Sequence, residues 1–162
     1  METKTIYELK KAFLDYLFYE VGKQQYNFCL QCSKQEGLKT KWKTYKEVCF
    51  NCDNPKNRWF IENCNQRQIL PCEVVLDFED KERLEPTIKE LKQLNVYFYV
   101  YPTGSRGYHI HIFFNRALET YEKLALIRHF GADELKAKEK TLIALENATH
   151  WKSGKIKEEL II

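Results

Sequence analysis

Residues 72–79 read CEVVLDFE, and this apolar run ending in two carboxylates guides the interpretation of the chain. Its apolar and β-branched residues predict a buried strand over 73–79. Residues two apart on a strand point to the same face, so Asp77 and Glu79 project together. Two carboxylates on one face repel each other unless a cation lies between them, and Mg²⁺ or Mn²⁺ prefers such oxygen ligands. Alone, the pattern also fits two solvent-exposed acids at a strand end.

Regular elements continue on the C-terminal side of this strand. The patterns predict a helix from near Pro86 to Asn95, a strand over 96–101, a turn over 102–107, a strand over 108–114, a helix over 120–130 and a fourth strand at 141–145. This order is that of the split β-α-β unit of ferredoxin-like and RNA-recognition-motif (RRM) folds. The predicted fold class is α+β, with an RRM/ferredoxin-like core. Such folds carry many functions, so the fold alone decides no activity.

The N-terminal third differs from this core. An amphipathic period predicts a helix over 6–21. Residues 26–58 show no sustained period, and we expect them to need something other than an apolar core to become ordered. The predicted organisation is therefore an N-terminal helix and zinc module over 1–60 and an α+β core over 61–162, packed as one unit.

Two cysteine pairs carry the zinc prediction. Cys29-x-x-Cys32 and Cys49-x-x-Cys52 are separated by 16 residues. Two such turns place four thiolates at the corners of a tetrahedron, the geometry of a structural zinc site, and the metal would order the segment around it. The N-terminus lacks the apolar stretch of a signal peptide, which favours thiols or metal over disulfides. The other two cysteines have no paired spacing and are predicted to lie in the core.

The charge pattern permits nucleic acid as a partner. The formal net charge is only +3, but one short segment holds a cluster of lysines and aromatic residues: Lys39, Lys41, Trp42, Lys43, Tyr45 and Lys46. Lysines of this kind contact phosphates while rings stack on bases, a combination suited to single strands. A solvated basic loop is an equal alternative. No run approaches the roughly 20 apolar residues of a membrane span, so we expect a cytoplasmic protein without a membrane partner.

A glycine-rich turn precedes the third strand of the core. The sequence GSRGYHIH occupies residues 104–111. The glycines let backbone N–H groups approach an anion closely, Ser105 and Arg106 add donors, and His109 reaches the same phosphate. The alternative is a tight hairpin with surface histidines, but the neighbouring D-x-E strand favours the phosphate site.

Together these motifs resemble those of the archaeo-eukaryotic primase superfamily, the primase-polymerases. DFE at 77–79 is similar to the first motif of the family and SRGYH at 105–109 to the second. Ala132-Asp133 is similar to the third, a hydrophobic residue followed by Asp, and HWKSG at 150–154 resembles a later H-x-K-T-G segment. The resemblance covers residues 72–155 and makes 61–162 a primase-polymerase-like catalytic core.

The resemblance implies a DNA primase/polymerase-type nucleotidyltransferase that adds NTPs or dNTPs along a single-stranded DNA template by two-metal catalysis. The implied ligands of the two Mg²⁺ or Mn²⁺ ions are Asp77, Glu79 and Asp133. The implied contacts to the nucleotide triphosphate are Ser105, Arg106, Gly107, His109, His150 and Lys152. Relatives of this kind pair with a large primase subunit or a helicase, and a zinc element is common among them.

Two other functions fit parts of the sequence. His109-Ile110-His111 has the form of a His-hydrophobic-His endonuclease, in which a tyrosine such as Tyr121 attacks single-stranded DNA. The expected Y-x-x-K is absent, and that function leaves the D-x-E pair without a role. The second alternative is a non-catalytic nucleic-acid-binding accessory module.

Overall fold

The computed structural model describes residues 4–32, 41–103, 106–149 and 154–160. The helices are α1 (Ile6–Asp15), α2 (Tyr45–Cys49), α3 (Pro55–Asn63), α4 (Leu84–Leu94) and α5 (Thr120–Phe130). The strands are β1 (Cys29–Cys32), β2 (Lys41–Thr44), β3 (Gln66–Gln68), β4 (Glu73–Phe78), β5 (Tyr97–Pro102), β6 (Tyr108–Phe113) and β7 (Leu142–Ala144). The predicted α+β class is confirmed. Within these ranges no helix has both the length and the apolar character needed to cross a bilayer.

The core sheet is antiparallel in the order β4-β6-β5. One of its faces packs on α4 and α5 through the apolar residues Val74, Leu76, Phe78, Leu91, Ile110, Ile112 and Ile127. The residues that alternate with these on β4 and β6 point to the other face, which carries the carboxylates and histidines. Helix α4 begins at Leu84 and so places Pro86 in its third position, and Asn95 ends it in the left-handed region with φ of 56°. Helix α5 has the predicted bounds.

The predicted fourth strand is present as β7 but lies in a different sheet. It pairs with β3 in the order β2-β1-β3-β7, and the described residues form no four-stranded RRM/ferredoxin-like sheet. The register joins Arg67 on β3 to Ile143 on β7. This pairing brings Glu146 within reach of the buried Arg67 guanidinium, with Nη2 2.7 Å from Oε2. A buried guanidinium requires such a partner, which gives a reason for β7 to join β3.

The N-terminal region contributes to a second apolar core. Phe28, Leu30, Tyr45 and Val48 are all buried, and the rings of Phe28 and Tyr45 stack with centroids 5.3 Å apart. The expectation that 26–58 would lack an apolar core is therefore wrong. Elements of four or five residues, such as β1, β2 and α2, are too short for a periodic signal to emerge.

Helix α1 anchors this core, and its cap is the predicted one. The Thr5 hydroxyl accepts a hydrogen bond from the Glu8 N–H at 3.1 Å, and a wider π-helical turn, Tyr16–Val21, extends the helix to the predicted end. The same apolar cluster contains Cys64, predicted to be a core residue, and Leu145. The predicted domain boundary at residues 60 and 61 falls inside α3, and this cluster contains residues from both sides of it.

Candidate functional site

The strand register places the D-x-E motif beside the first histidine. Asp77 on β4 lies directly opposite His109 on β6, which lies opposite Tyr101 on β5. The His109 Nε2 and Asp77 Oδ1 atoms are 3.6 Å apart. Glu79 follows the end of β4 and is exposed. Asp77 and His109, which are 32 residues apart in the sequence, thus meet at one end of the sheet.

The third predicted carboxylate reaches the same end through the backbone. The Asp133 N–H donates to the Asp77 carbonyl oxygen at 3.3 Å. The Asp133 side chain accepts a hydrogen bond from the Leu135 N–H at 3.0 Å, which caps the 3-10 turn Glu134–Ala137. The segment after α5 is therefore tied to the end of β4 by its backbone.

Electrostatics link the three carboxylates. Burial raises the pKa of Asp77, and the Asp133 and Glu79 carboxylates raise it further, against the opposing effect of Lys136 and Lys157. An oxygen-only donor set of this kind fits Mg²⁺ or Mn²⁺ in chemistry. Their ligand atoms are not gathered within 4.8 Å of one another in the part of the chain that the structure describes. Binding a shared ion requires the side chains to turn inward.

Gly107, at the end of the glycine turn, lies against the carboxylate end of β4. A Cβ atom on Gly107 would lie 2.7 Å from the Phe78 carbonyl oxygen, a distance that only glycine tolerates. Thr103 fixes the turn, since its N–H donates to the Gly107 oxygen at 2.9 Å and its hydroxyl accepts from the Gly107 N–H at 3.2 Å. Arg106 is exposed next to this turn. The remaining predicted triphosphate contacts, Ser105, His150 and Lys152, lie outside the described residues.

Burial favours the neutral form of His109, and one of its ring nitrogens is unsatisfied within the described residues. Burial lowers its pKa well below the ordinary value, and the charges of Lys157 and His111 lower it further. Its Nδ1 is buried and has no hydrogen-bond partner among the residues that the structure describes. An unsatisfied buried polar atom costs about 1–3 kcal/mol, which a hydrogen-bonding ligand or water recovers.

On the same face of the sheet as Asp77 and His109 lies a group of charged side chains that sequence reasoning missed. Arg67 donates to both Glu73 oxygens at 2.8 Å and to both Glu146 oxygens at 3.0 and 2.7 Å. His111 Nδ1 lies 2.6 Å from Glu73 Oε2, and His111 Nε2 lies 3.2 Å from Lys157 Nζ. We call these five residues the buried ionic cluster. The sequence did contain one sign of this cluster, because Glu73 is a charged residue in an apolar strand and such a residue needs a buried partner.

The buried ionic cluster is charge-balanced without a metal. Ligand atoms of Glu73, His111 and Glu146 lie within 4.8 Å of one another, a spacing that could hold an ion. The Arg67 guanidinium already binds both carboxylates, however, and Lys157 adds a second positive charge. Burial lowers the pKa of Lys157 to about 8 and that of His111 below its ordinary value. Two cations and two carboxylates around a neutral imidazole leave no charge for a metal to compensate.

The two histidines of the His-hydrophobic-His pattern have different environments. His111 is fully buried in the ionic cluster, whereas His109 lies opposite Asp77. Tyr121 is on α5, which packs on the opposite face of the sheet, and its side chain is 72% exposed. A tyrosine nucleophile and a histidine-bound metal must share one face, so this arrangement does not support the endonuclease interpretation.

The structure does not bring the four paired cysteines together. Cys29 and Cys32 are three residues apart on β1, so their side chains point to opposite faces of the strand. The Cys32 thiol is buried and donates to the Asn63 carbonyl oxygen at 3.4 Å, whereas Cys49 donates to that of Lys46 at 3.5 Å. All four cysteines are described, and no three of them gather their sulfur atoms within 4.8 Å. This arrangement does not fit a tetrahedral zinc site.

Comparison with known proteins yields a structural likeness. No protein-family profile matches the sequence, and no curated protein matches it. The polymerase domain of Mycobacterium tuberculosis Ligase D in complex with DNA superposes with a TM-score of 0.55 over 82% of this chain. The two chains share a fold. Their sequences are 9% identical, and this chain spans 62% of the length of that structure.

The buried ionic cluster makes stability depend on pH. Burial alone would raise the pKa of Glu146, but Arg67 and then Lys157 lower it to about 2 from 4.5. Because the folded-state pKa is the lower one, the stabilisation is complete above pH 4.5 and is lost as pH falls through about 2. We expect the free energy of unfolding to decline over that window in urea titrations. The control is Glu122→Gln, which removes a surface carboxyl whose pKa is also about 2 and should leave the decline in place. A free energy of unfolding that stays constant in the wild type as pH falls from 4.5 to about 2 would contradict the expectation.

Proposed function

We propose that the chain is a DNA primase/polymerase-type nucleotidyltransferase of the archaeo-eukaryotic primase kind. The observation that carries the proposal is the meeting of three motifs at one end of the β4-β6-β5 sheet. Asp77 lies beside His109 across the strands, and Asp133 is hydrogen-bonded to the Asp77 backbone. The likeness in fold to a polymerase domain supports it, although fold alone carries no activity.

In this proposal Asp77, Glu79 and Asp133 hold two Mg²⁺ or Mn²⁺ ions. When bound, such ions supply Lewis acidity to the attacking hydroxyl and neutralise charge on the leaving pyrophosphate. The carboxylates orient the primer end and the nucleotide relative to each other. Burial raises the pKa of Asp77, repulsion from Asp133 and Glu79 raises it further, and bound cations would offset both effects.

The glycine turn would bind the triphosphate. Gly107 packs directly on the end of β4, so its backbone lies next to the strand that carries Asp77. Arg106 is exposed there and supplies a guanidinium for phosphate oxygens, and a phosphate beside His109 would stabilise its protonated form. The same role is proposed for Ser105, His150 and Lys152 from the sequence alone.

The template and partners follow from the same proposal. We take the template to be single-stranded DNA and the substrates to be NTPs or dNTPs, with a large primase subunit or a helicase as the partner protein. The division into a zinc module over 1–60 and a catalytic core over 61–162 is part of this proposal. The assignment of the core to the RRM-like class rests on the order of its elements along the sequence, since β7 lies in the other sheet.

The test is a single extension experiment. Purified protein is incubated with single-stranded DNA, with and without an annealed primer, in Mg²⁺ or Mn²⁺ and with labelled NTPs or dNTPs. Products that need metal and template are expected, and the productive lanes give the sugar preference and show whether a primer is needed. A folded protein that binds the DNA but makes no product would overturn the proposal.

The second candidate is a non-catalytic nucleic-acid-binding module. It is favoured by one observation, namely that the three carboxylates are not gathered within 4.8 Å of one another. This candidate predicts DNA binding that is indifferent to Mg²⁺ and no product in the extension experiment.

A structural zinc ion is proposed on the cysteine spacing alone. On that spacing we expect one zinc per chain by elemental analysis, with Cys29, Cys32, Cys49 and Cys52 protected from thiol reagents. Zinc binding would require Cys29 or Cys32 to turn to the other face of β1. If the described arrangement persists in solution, zinc is absent and the three partly exposed thiols of Cys29, Cys49 and Cys52 react in the native protein. That outcome would contradict the zinc proposal.

A further inference from the structure

A cleft between β2 and α3 combines lysine and aromatic side chains outside the site described above. It has a volume of about 520 Å³ and is lined by Lys41, Lys43, Pro55, Lys56, Trp59 and Phe60. Among the residues that the structure describes, the lining includes three lysines and no carboxylate. The cleft therefore presents positive charge over an apolar floor, a combination that suits an anionic ligand with flat apolar groups.

Two elements bring these side chains together. Lys41 and Lys43 are two residues apart on β2 and so share a face. Asn54 caps α3 by accepting the Lys56 N–H at 2.9 Å. Lys56 and Trp59 are three residues apart on that helix and are therefore neighbours on its surface. The clustered lysines of β2 were evident in the sequence, but their partners Lys56 and Trp59 on α3 lie 13 to 18 residues away and were not.

The contacts distinguish the three lysines: Lys43 is hydrogen-bonded, Lys41 lies over the Trp59 ring, and Lys56 is exposed. Lys43 Nζ donates to Asn57 Oδ1 at 2.9 Å, which fixes it in the wall of the cleft. Lys41 and Lys56 are exposed, and Lys41 Nζ lies 5.2 Å from the centroid of the Trp59 ring. The Trp59 side chain is 37% exposed, so part of a large aromatic surface faces the cleft. Because the Lys41 ammonium lies over this ring, a base that stacks on Trp59 would bring its phosphate next to Lys41, as base and phosphate are adjacent along a nucleic-acid strand.

We propose that this cleft binds single-stranded nucleic acid, with a base stacked on Trp59 and phosphates beside Lys41 and Lys56. A duplex hides the faces of its bases, so ring stacking selects the single strand. Stacking and phosphate contacts read no base edge, so binding is independent of sequence. The inference deepens the proposed function, because it gives the template strand a surface on the other sheet from the carboxylates. It does not depend on catalysis.

Replacement of Trp59 tests the stacking contact. Binding of a fluorescently labelled oligo-dT is measured by anisotropy without added divalent metal. Trp59→Leu is expected to weaken binding about tenfold, within the range observed for base–aromatic stacking. Trp59→Phe keeps a ring and is expected to bind within about twofold of the wild type, which separates stacking from a general loss of packing. Equal affinity of the Leu variant and the wild type would overturn the proposal.

Removal of charge tests the phosphate contacts. Lys41→Gln/Lys56→Gln is expected to reduce the slope of log affinity against log salt by about 1.4, since each phosphate contact on a single strand contributes about 0.7. Lys89→Gln/Lys92→Gln removes the same charge from exposed positions on α4 and is expected to leave the slope unchanged. Equal slopes in the two double variants would contradict the proposed phosphate contacts of Lys41 and Lys56.

The carboxylate variant separates this inference from the proposed function. Asp77→Ala/Glu79→Ala is expected to bind oligo-dT as the wild type does, because neither residue lines the cleft. Binding that depends on Trp59 in a protein without extension activity would overturn the function alone. If the protein extends primers but the Trp59 and lysine variants bind DNA as the wild type does, the proposed binding in the cleft is wrong and the proposed function stands.

Discussion

Replacing Asp77 and Glu79 by alanine is expected to abolish metal-dependent nucleotide addition while the protein stays folded. In the proposed function both carboxylates bind the catalytic ions, whose contribution is several kcal/mol of transition-state stabilisation. Each 1.4 kcal/mol corresponds to about a tenfold change in rate, so a loss of at least about a thousandfold is expected. The measurement is the rate of primer extension in Mg²⁺ and in Mn²⁺.

Stability should not fall in this variant, which makes the result interpretable. The like charge of Glu79 contributes to the raised pKa of Asp77, so removing both acids relieves repulsion. The matched control is Glu82→Ala/Glu85→Ala, which removes two exposed acids just after the site and is expected to retain activity. Retained extension activity in the Asp77/Glu79 variant, with a thermal midpoint like that of the wild type, would contradict the assignment.

Replacing Arg67 by alanine is expected to be the most destabilising single substitution proposed for this chain. Its guanidinium binds Glu73 and Glu146 through four hydrogen bonds, and all three side chains are fully buried. Without it, two carboxylates remain buried with only Lys157 as a cation. Breaking a buried pair in this way costs about 3–5 kcal/mol, a large part of the total stability of a typical domain. Urea unfolding measures the loss.

Two comparison variants give the Arg67 result its meaning. Arg58→Ala removes a surface arginine whose ion pair with Glu62 is 3.3 Å long, and a loss below about 1 kcal/mol is expected. Arg67→Met with Glu73→Gln removes one charge of each sign, leaves Lys157 to balance Glu146, and is expected to recover part of the stability. If Arg67→Ala costs no more than Arg58→Ala, the buried ionic cluster does not stabilise the fold.

The neighbourhood of the candidate site was predictable because its motifs act locally. The apolar run before Asp77 gave a strand, the glycine turn gave a hairpin, and two strands joined by a tight hairpin pair with each other. That pairing set β6 beside β5 but left the place of β4 open. The register that puts His109 opposite Asp77 came only from the assembled sheet.

Arg67 and Lys157 show where prediction failed. Both are ordinary charged residues by sequence, and neither lies in a recognisable motif. Arg67 bonds Glu146 at a separation of 79 residues, and Lys157 bonds His111 at a separation of 46. Burial of a charge is decided by the partner that folding brings to it, and no local pattern carries that information.

Local patterns account for the α+β class, for the strand that carries Asp77 and for both ends of α5. In each of these the information lies within one or two turns of helix or one strand, where side-chain spacing and capping act directly. Tertiary contacts decided the rest. They placed β7 in the second sheet, turned Cys29 and Cys32 to opposite faces of β1, and joined the lysines of β2 to the tryptophan of α3. These features depend on which distant surfaces bury each other, and hydrophobic burial is non-directional until the elements pack.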